Sequence, residues 1–130
     1  MLIFHAIENP EIIPEFYEKT NIKLNILISY AFQKGNISKL VDTYRDKINL
    51  LYLDSGAYSV FTGKTKISLY EYTLFLKKYG KHFDACFTLD DKFDDADHNL
   101  LNQRELEDKL SGQGLKPVPV IHDFDDPYKE

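Results

Sequence analysis

The sequence is poor in residues on which several classes of protein depend. It contains one cysteine, Cys86, which excludes an internal disulfide and a zinc site built from several cysteines. It has no apolar run near the roughly 20 residues that a membrane-spanning helix needs. Its start, Met1–His5, lacks the basic residues and the long apolar stretch of a secretory signal. We therefore expect a cytoplasmic protein with no membrane partner.

Basic charge is also scarce, because 16 Lys and Arg stand against 21 Asp and Glu, for a formal net charge of −5. A protein that binds nucleic acid tightly by itself usually carries a basic patch, so this balance argues against such binding. Apolar and aromatic residues are plentiful, at 43% and 14% of the chain. That composition, in 130 residues, is typical of one globular domain with a sizeable core.

Four apolar runs of strand length follow one another along the chain. None alternates cleanly between apolar and polar residues, which is typical of strands buried on both faces of a parallel sheet. The runs are Leu24–Ser29, Leu50–Asp54, Ala85–Asp90 and Pro117–His122. The segment before them has room for a short strand at Leu2–Phe4 and a helix near Pro14–Lys19.

Helical patterns lie between these runs. In Ile37–Asp46 the apolar residues recur at helical spacing, and Asn36 is a suitable N-cap. Ser68 and Glu71 have the spacing of a capping box, in which each side chain bonds to a free backbone N–H of the other. Gly80 is predicted to end that helix in a left-handed conformation.

A third helix is predicted from about Asn99 to Leu110, so strands and helices alternate throughout. Strand ends at Ser29, Asp54, Asp90 and His122 are 25, 36 and 32 residues apart. Units of this size predict parallel strands joined by right-handed crossovers. No G-x-G-x-x-G sequence follows a strand, so a dinucleotide-binding sheet gains no support.

We predict an α/β fold of parallel βα units that forms the N-terminal half of a TIM (β/α)8 barrel. A complete barrel needs about 250 residues. Asp125-Asp126-Pro127 is a helix-start signal close to Glu130. We therefore expect residues 1–130 to be a single partial barrel domain, truncated at its C-terminus.

Polar residues stand where the predicted strands end, and barrel enzymes place their active sites there. They are Ser29, Asp54 with Ser55 and Gly56, Asp90 with Asp91, and His122. Asp and Ser also favour loops and helix caps, which explains any one of them without a function. Asp54 and Asp90, at the ends of two successive strands, together favour a functional site.

The segment Leu53–Ser59, LDSGAYS, resembles the D-S-G-G-F-Q motif of the tRNA-guanine transglycosylases (queuine tRNA-ribosyltransferases). These are TIM-barrel enzymes that exchange guanine for a 7-deazaguanine base, and the resemblance covers about Leu50–His122. It implies that Asp54 is the active-site carboxylate beside the glycosidic bond. It also implies that Asp90, with Asp91 as second choice, reads the edge of the base, a task suited to a carboxylate that accepts N–H bonds.

Other residues near the two predicted strand ends suit a binding site by their own chemistry. Gly56 lets the backbone approach a ligand closely, beside Ser55. Tyr58 either offers a ring for stacking on a base or packs under the loop. We expect Asp54 and Asp90 to face a common hollow and His122 to flank it. Ala57, Tyr58 and Ser59 replace the family's glycine, phenylalanine and glutamine. The pattern is similar to the divergent branch encoded by phages and genomic islands, some members of which modify DNA.

The implied function is base exchange on tRNA or DNA by a glycosyltransferase of which this chain is the N-terminal half. The family's nucleophilic Asp and its zinc site lie beyond the matched residues, so we expect the chain alone to be inactive. Its implied partners are a guanine-like base and, through the complete barrel, nucleic acid. No cofactor and no metal are expected in these residues.

Two alternatives come from other classes of protein. One is a non-catalytic remnant or binding module, which pairs through its open sheet edge with another copy or with its missing half. The other is a metal-dependent barrel hydrolase that uses Asp54, Asp90 and His122, although no H-x-H or H-E-x-x-H pattern supports it. The acidic cluster Asp90–Asp97 does not match the EF-hand template for calcium.

Overall fold

Four parallel strands form the centre of the fold in the computed structural model, which describes residues 3–7, 9–33, 36–56, 66–90 and 95–120. The strands are β1 (His5–Ala6), β2 (Leu24–Ser29), β3 (Ile48–Asp54) and β4 (Ala85–Cys86). They form one sheet in the order β1-β2-β3-β4, and each neighbouring pair is parallel. The predicted α/β class with a parallel sheet is confirmed.

Helical segments connect the strands. They are α1 (Ile12–Thr20) before β2, α2 (Tyr30–Gln33) and α3 (Ile37–Lys39) before β3, α4 (Leu69–Tyr79) before β4, and α5 (Ala96–Leu110) after it. A π-helix (Leu40–Tyr44) and a 3-10 turn (Arg45–Lys47) continue α3. Further 3-10 turns, Gly80–His82 and Ser111–Gln113, follow α4 and α5. No helix among the described residues is long and apolar enough to cross a membrane.

The strands predicted at Ala85–Asp90 and Pro117–His122 form less ladder than expected among the described residues. The β4 ladder ends at Cys86, and Phe87 forms an isolated parallel bridge with Val118. Val118 donates its N–H to the Cys86 carbonyl and accepts the Thr88 N–H.

The helix ends agree with the sequence in part. Ser68 accepts the backbone N–H of Glu71 at 3.0 Å, as the capping box predicts. Asn36 is the N-cap residue of α3, as predicted, but its side chain makes no capping bond. Gly80 is not left-handed either, with φ −56, because the chain continues into a 3-10 turn. A Cβ at Gly80 would lie 2.5 Å from the Cδ2 end of the Leu115 side chain, which would have to move to make room.

One face of the sheet is fully buried and contributes the centre of the core. Alternate residues of β2 and β3, such as Ile26, Ile28 and Leu53, are at most 1% exposed and join a cluster with Leu76 of α4. Cys86 is buried in the same cluster, as expected, and burial raises the pKa of its thiol to about 11. The helices therefore pack on this face.

Phe4, Tyr52 and Phe87 make ring contacts with one another. The Phe4 and Tyr52 rings stack with centroids 4.2 Å apart, and Phe87 meets Tyr52 edge-on at 6.3 Å. All three side chains are half-buried. Tyr52 lies between Leu51 and Leu53, which are completely buried, so strand alternation places its ring on the opposite face of the sheet.

Arg45 joins the amino ends of β3 and β4 through three hydrogen bonds. Its guanidinium donates to the carbonyls of His82 and Ile48 and to the Asp84 carboxylate, at 2.9 to 3.0 Å. Asp84 in turn accepts the backbone N–H of Leu51 at 2.8 Å. Two of the acceptors, His82 and Asp84, lie 37 and 39 residues from Arg45 in the chain, so the bonds link the amino ends of the two strands.

We expect Arg45→Ala to lower the free energy of unfolding by about 2 kcal/mol, the usual size for the loss of hydrogen bonds to a charged group. Urea unfolding followed by circular dichroism measures the change. Lys47→Ala is the matched control, because its 3.6 Å contact with the exposed Asp46 is worth little. Equal stability of Arg45→Ala and the wild type would contradict the structural role given to Arg45.

Candidate functional site

The carboxyl ends of the parallel strands meet at one edge of the sheet. β2 ends at Ser29 and β3 at Asp54, and these two residues are register partners. Asp90 follows β4 by four residues and lies at the same edge. The sheet therefore brings Asp54 and Asp90 together from separate parts of the sequence.

Asp54 is a largely desolvated carboxylate. Burial raises its pKa above the ordinary value, and the nearby negative charge of Asp90 raises it further. Backbone N–H groups of Gly56 and Ser55 donate to the carboxylate and oppose part of that rise, with Gly56 N 3.3 Å from Oδ2. A carboxyl whose pKa is shifted upward toward neutrality is suited to proton transfer.

Asp90 is only 4% exposed and lies beyond the end of β4. The peptide before it is held by Asn102 of α5, whose Nδ2 donates to the Leu89 carbonyl at 2.8 Å. Asn102 is itself buried, so this contact is shielded from water. Asp90 is thus a buried carboxylate, and the peptide that precedes it is fixed by the side chain of Asn102.

The backbone conformation and tight surroundings at position 56 explain why a glycine follows Asp54 so closely. Its φ of +85 is left-handed, and a Cβ there would lie 2.3 Å from the Cβ of Ala31 and 2.8 Å from Ser29 Oγ. Only glycine combines this backbone conformation with such a close approach to the start of α2. Ser55 beside it is completely buried.

Three buried hydroxyl groups at or just after the strand ends have no hydrogen-bond partner in the part of the chain that the structure describes. They belong to Ser29, Ser55 and Thr88. Each follows or ends a different parallel strand, so the carboxyl edge has unused hydrogen-bonding capacity as well as its two carboxylates. Unpaired buried polar groups are costly, and they are uncommon outside sites with a role.

The other predicted site residues cannot be compared with the structure. Tyr58, Asp91 and His122 lie outside the described residues. Within the described ranges no three His, Cys, Asp or Glu side chains are grouped as metal ligands. The possible metal site of Asp54, Asp90 and His122 includes one of the undescribed positions and remains a hypothesis.

Sequence analysis missed Tyr72 and Asn102, the two helix residues that support the strand ends. The Tyr72 hydroxyl donates to the Phe87 carbonyl at 2.7 Å. Tyr72 is a buried position of the α4 stripe, where a tyrosine is indistinguishable from an ordinary core aromatic. A buried asparagine inside a helix is unusual. An asparagine on the predicted inner face of the helix, such as Asn102, could therefore have been recognised as a residue with a structural role.

A cavity of about 640 Å³ lies away from the two carboxylates. Its lining includes Lys81, Asp84, Leu115 and Lys116, next to the amino end of β4. In parallel α/β sheets ligands bind at the carboxyl ends of the strands. We therefore place the candidate site around Asp54 and Asp90 and not at this cavity.

Comparison with known proteins identifies no relative: no protein-family model, no curated protein and no solved structure matches the chain.

We expect Gly56→Ala to destabilise the fold by about 1–3 kcal/mol, because the new methyl group meets Ala31 and the left-handed backbone disfavours it. Thermal unfolding measures the loss. Gly112→Ala is the control, since a Cβ there has no neighbour within 4 Å, and we expect it to be neutral. Equal effects of the two substitutions would contradict the close approach described at Gly56.

Asp54→Asn is expected to stabilise the protein at neutral pH and to leave its stability unchanged in acid. The folded state raises the pKa of Asp54, so it binds the proton more tightly than the unfolded state does. Stability is therefore lost as pH rises from the unfolded pKa, about 3.9, through the higher folded pKa. An uncharged amide does not incur this loss.

Urea unfolding of wild type and Asp54→Asn below pH 4 and at pH 7 measures the difference. Asp42→Asn serves as the control, because Asp42 is an exposed carboxylate on a distant helical segment. A variant that is less stable than wild type at pH 7, but equal to it in acid, would show that ionised Asp54 stabilises the fold.

Proposed function

We propose that this chain supplies the base-binding and proton-transfer side of a base-exchange glycosyltransferase acting on tRNA or DNA. The observation that carries the proposal is the pair Asp54 and Asp90 at one edge of a parallel sheet, with the pKa of Asp54 raised. The motif around Asp54, which resembles that of the tRNA-guanine transglycosylases, supplies the reaction class. The wider protein is, on this proposal, an enzyme.

The proposed architecture is the N-terminal half of a TIM barrel. Its support is the strand order, which follows the chain from β1 to β4 without reversal, and the bridge of Phe87 to Val118 in the same direction. A doubly wound sheet reverses its order at a switch point, whereas a barrel does not. The other half of the barrel, or a second copy of this chain, is the proposed neighbour of the open sheet.

The two carboxylates have different proposed roles. Asp90 accepts N–H groups from the edge of guanine or a 7-deazaguanine, as a buried carboxylate does well. Asp54 moves the proton of the base nitrogen. When the glycosidic bond breaks, Asp54 gives a proton to the leaving guanine, and it takes one from the incoming base as the new bond forms.

The sugar carbon must be held by a nucleophile between these two steps, and we assign that carboxylate to the remainder of the barrel. Nucleic-acid docking is assigned there as well, because this chain has a net charge of −5. The chain alone is then expected to bind a base weakly and to catalyse no exchange.

We expect guanine and a 7-deazaguanine base to bind the wild-type chain, and Asp90→Asn to weaken that binding roughly ten- to hundredfold. The amide loses the charge-assisted hydrogen bonds to the base, worth about 1.5–3 kcal/mol. Equilibrium dialysis with labelled base measures the affinity. Asp42→Asn should bind as wild type does.

Three results would contradict the proposal. Absence of base binding by the wild type, or equal binding by Asp90→Asn, would remove the base-reading role. Bound zinc or manganese in the purified protein, lost in Asp54→Asn, would favour the metal-dependent hydrolase. Incorporation of labelled guanine into bulk tRNA or DNA by this chain would show that its site is complete.

A further inference from the structure

The outer side of β1 is a free edge of the sheet. Ile7 donates its N–H to the Leu27 carbonyl at 3.3 Å, and Ala6 is the register partner of Leu27. Alternate residues of a parallel strand bond to the same neighbour, so His5 and Ile7 face β2. The N–H and carbonyl groups of Phe4 and Ala6 therefore point away from the sheet, and they make no hydrogen bond with any described residue.

This edge is accessible and lacks the usual protection of an edge strand. Both residues of β1 are exposed, and Ile3 just before them is 65% exposed. Edge strands that stay unpaired usually carry lysine, proline or a bulge, which oppose the addition of another strand. The segment Ile3–Ile7 contains neither lysine nor proline. The β1 edge is therefore competent to pair with a further strand.

The opposite edge of the sheet differs, because its outward positions are prolines. Val118 bonds to Cys86 and Thr88, so its own N–H and carbonyl face β4 and the residues that follow it. The outward N–H groups beside this bridge would belong to Pro117 and Pro119, which have none. A strand added there could donate hydrogen bonds but would receive none from these positions.

Copies of this sheet can join through either edge. Any arrangement that uses the Val118 edge is short of N–H donors at the two prolines. Joining β1 to β1 about a two-fold axis needs only the groups that β1 has. With the axis at His5, Phe4 faces Ala6 of the second copy, and each such pair exchanges two bonds in the antiparallel pattern. The outward N–H and carbonyl groups of both copies are then all used.

We propose that the chain forms a dimer in which the β1 strands of two copies pair antiparallel about a two-fold axis at His5. One continuous sheet then runs through both copies. The two His5 residues lie opposite each other as a non-hydrogen-bonded pair, with Cα atoms about 4.5 Å apart. Neither Asp54 nor Asp90 belongs to β1, so the inference does not rest on the proposed function.

Analytical ultracentrifugation of the whole chain tests the dimer, and proline at position 6 tests the edge. Ala6→Pro removes an N–H that points outward, so the ladder between β1 and β2 keeps its bonds. Each copy loses one donor to the other, and we expect the dissociation constant of the dimer to rise roughly tenfold or more. Ala6→Val keeps the N–H and should dimerise as the wild type does. Circular dichroism checks that both variants fold.

His5→Cys tests the register. Cysteines at the two-fold axis lie within disulfide distance, so oxidation by copper phenanthroline should link the two copies. Ile3→Cys is the matched control, because Ile3 would face Ile7 of the second copy and would lie about 14 Å from its own counterpart. Cys86 is completely buried, and we expect it not to cross-link.

A wild-type chain that remains monomeric across the concentrations used would overturn the proposal. A dimer that Ala6→Pro does not weaken, or equal cross-linking of the two cysteine variants, would also overturn it, because either result places the interface elsewhere. If Ala6→Pro does not fold, the cross-linking pair decides alone. A monomeric chain would leave base binding at Asp90 untouched, and loss of base binding would leave the dimer intact.

Discussion

The parallel pairing of β3, with β2 on one side and β4 on the other, is the constraint on which the rest of the structure depends. Parallel neighbours cannot be joined by a tight turn, so each strand must return through a helical crossover. The crossovers cover one face of the sheet, where alternate strand residues such as Ile26 and Leu53 become completely buried. The same pairing brings the carboxyl ends of all strands to a single edge, and so Asp54 and Asp90 become neighbours.

At the carboxyl edge of the sheet, the electrostatic environment of Asp54 is unfavourable for its charged form. Two carboxylates approach each other in a desolvated region, and both burial and repulsion raise the pKa of Asp54. The backbone N–H groups of Gly56 and Ser55 offset part of that cost. Ionisable groups held in this way are common at catalytic sites, since a shifted pKa is useful there and costly elsewhere. The proposed base exchange uses this local chemistry.

Local patterns in the sequence predicted much of this arrangement. The run Leu24–Ser29 is a strand with the predicted bounds, and Ser68 caps its helix as the spacing indicated. Predictions failed where distant residues decide the outcome. Gly80 is not left-handed, and its close neighbour is the side chain of Leu115, 35 residues later in the chain. The run Ala85–Asp90 reads as one strand, but side chains from two helices take over its last carbonyls.

The sequence by itself determined the class of fold and the identity of the two carboxylates, because apolar periodicity and strand-end polarity are encoded within a few neighbouring residues. The tertiary structure alone decided how those carboxylates are held. Arg45 meets Asp84 across 39 residues, and Tyr72 meets Phe87 across 15. No pattern in the sequence next to Arg45 or Tyr72 specifies which distant residue it contacts. Such contacts exist only once the parallel strands have placed their ends side by side.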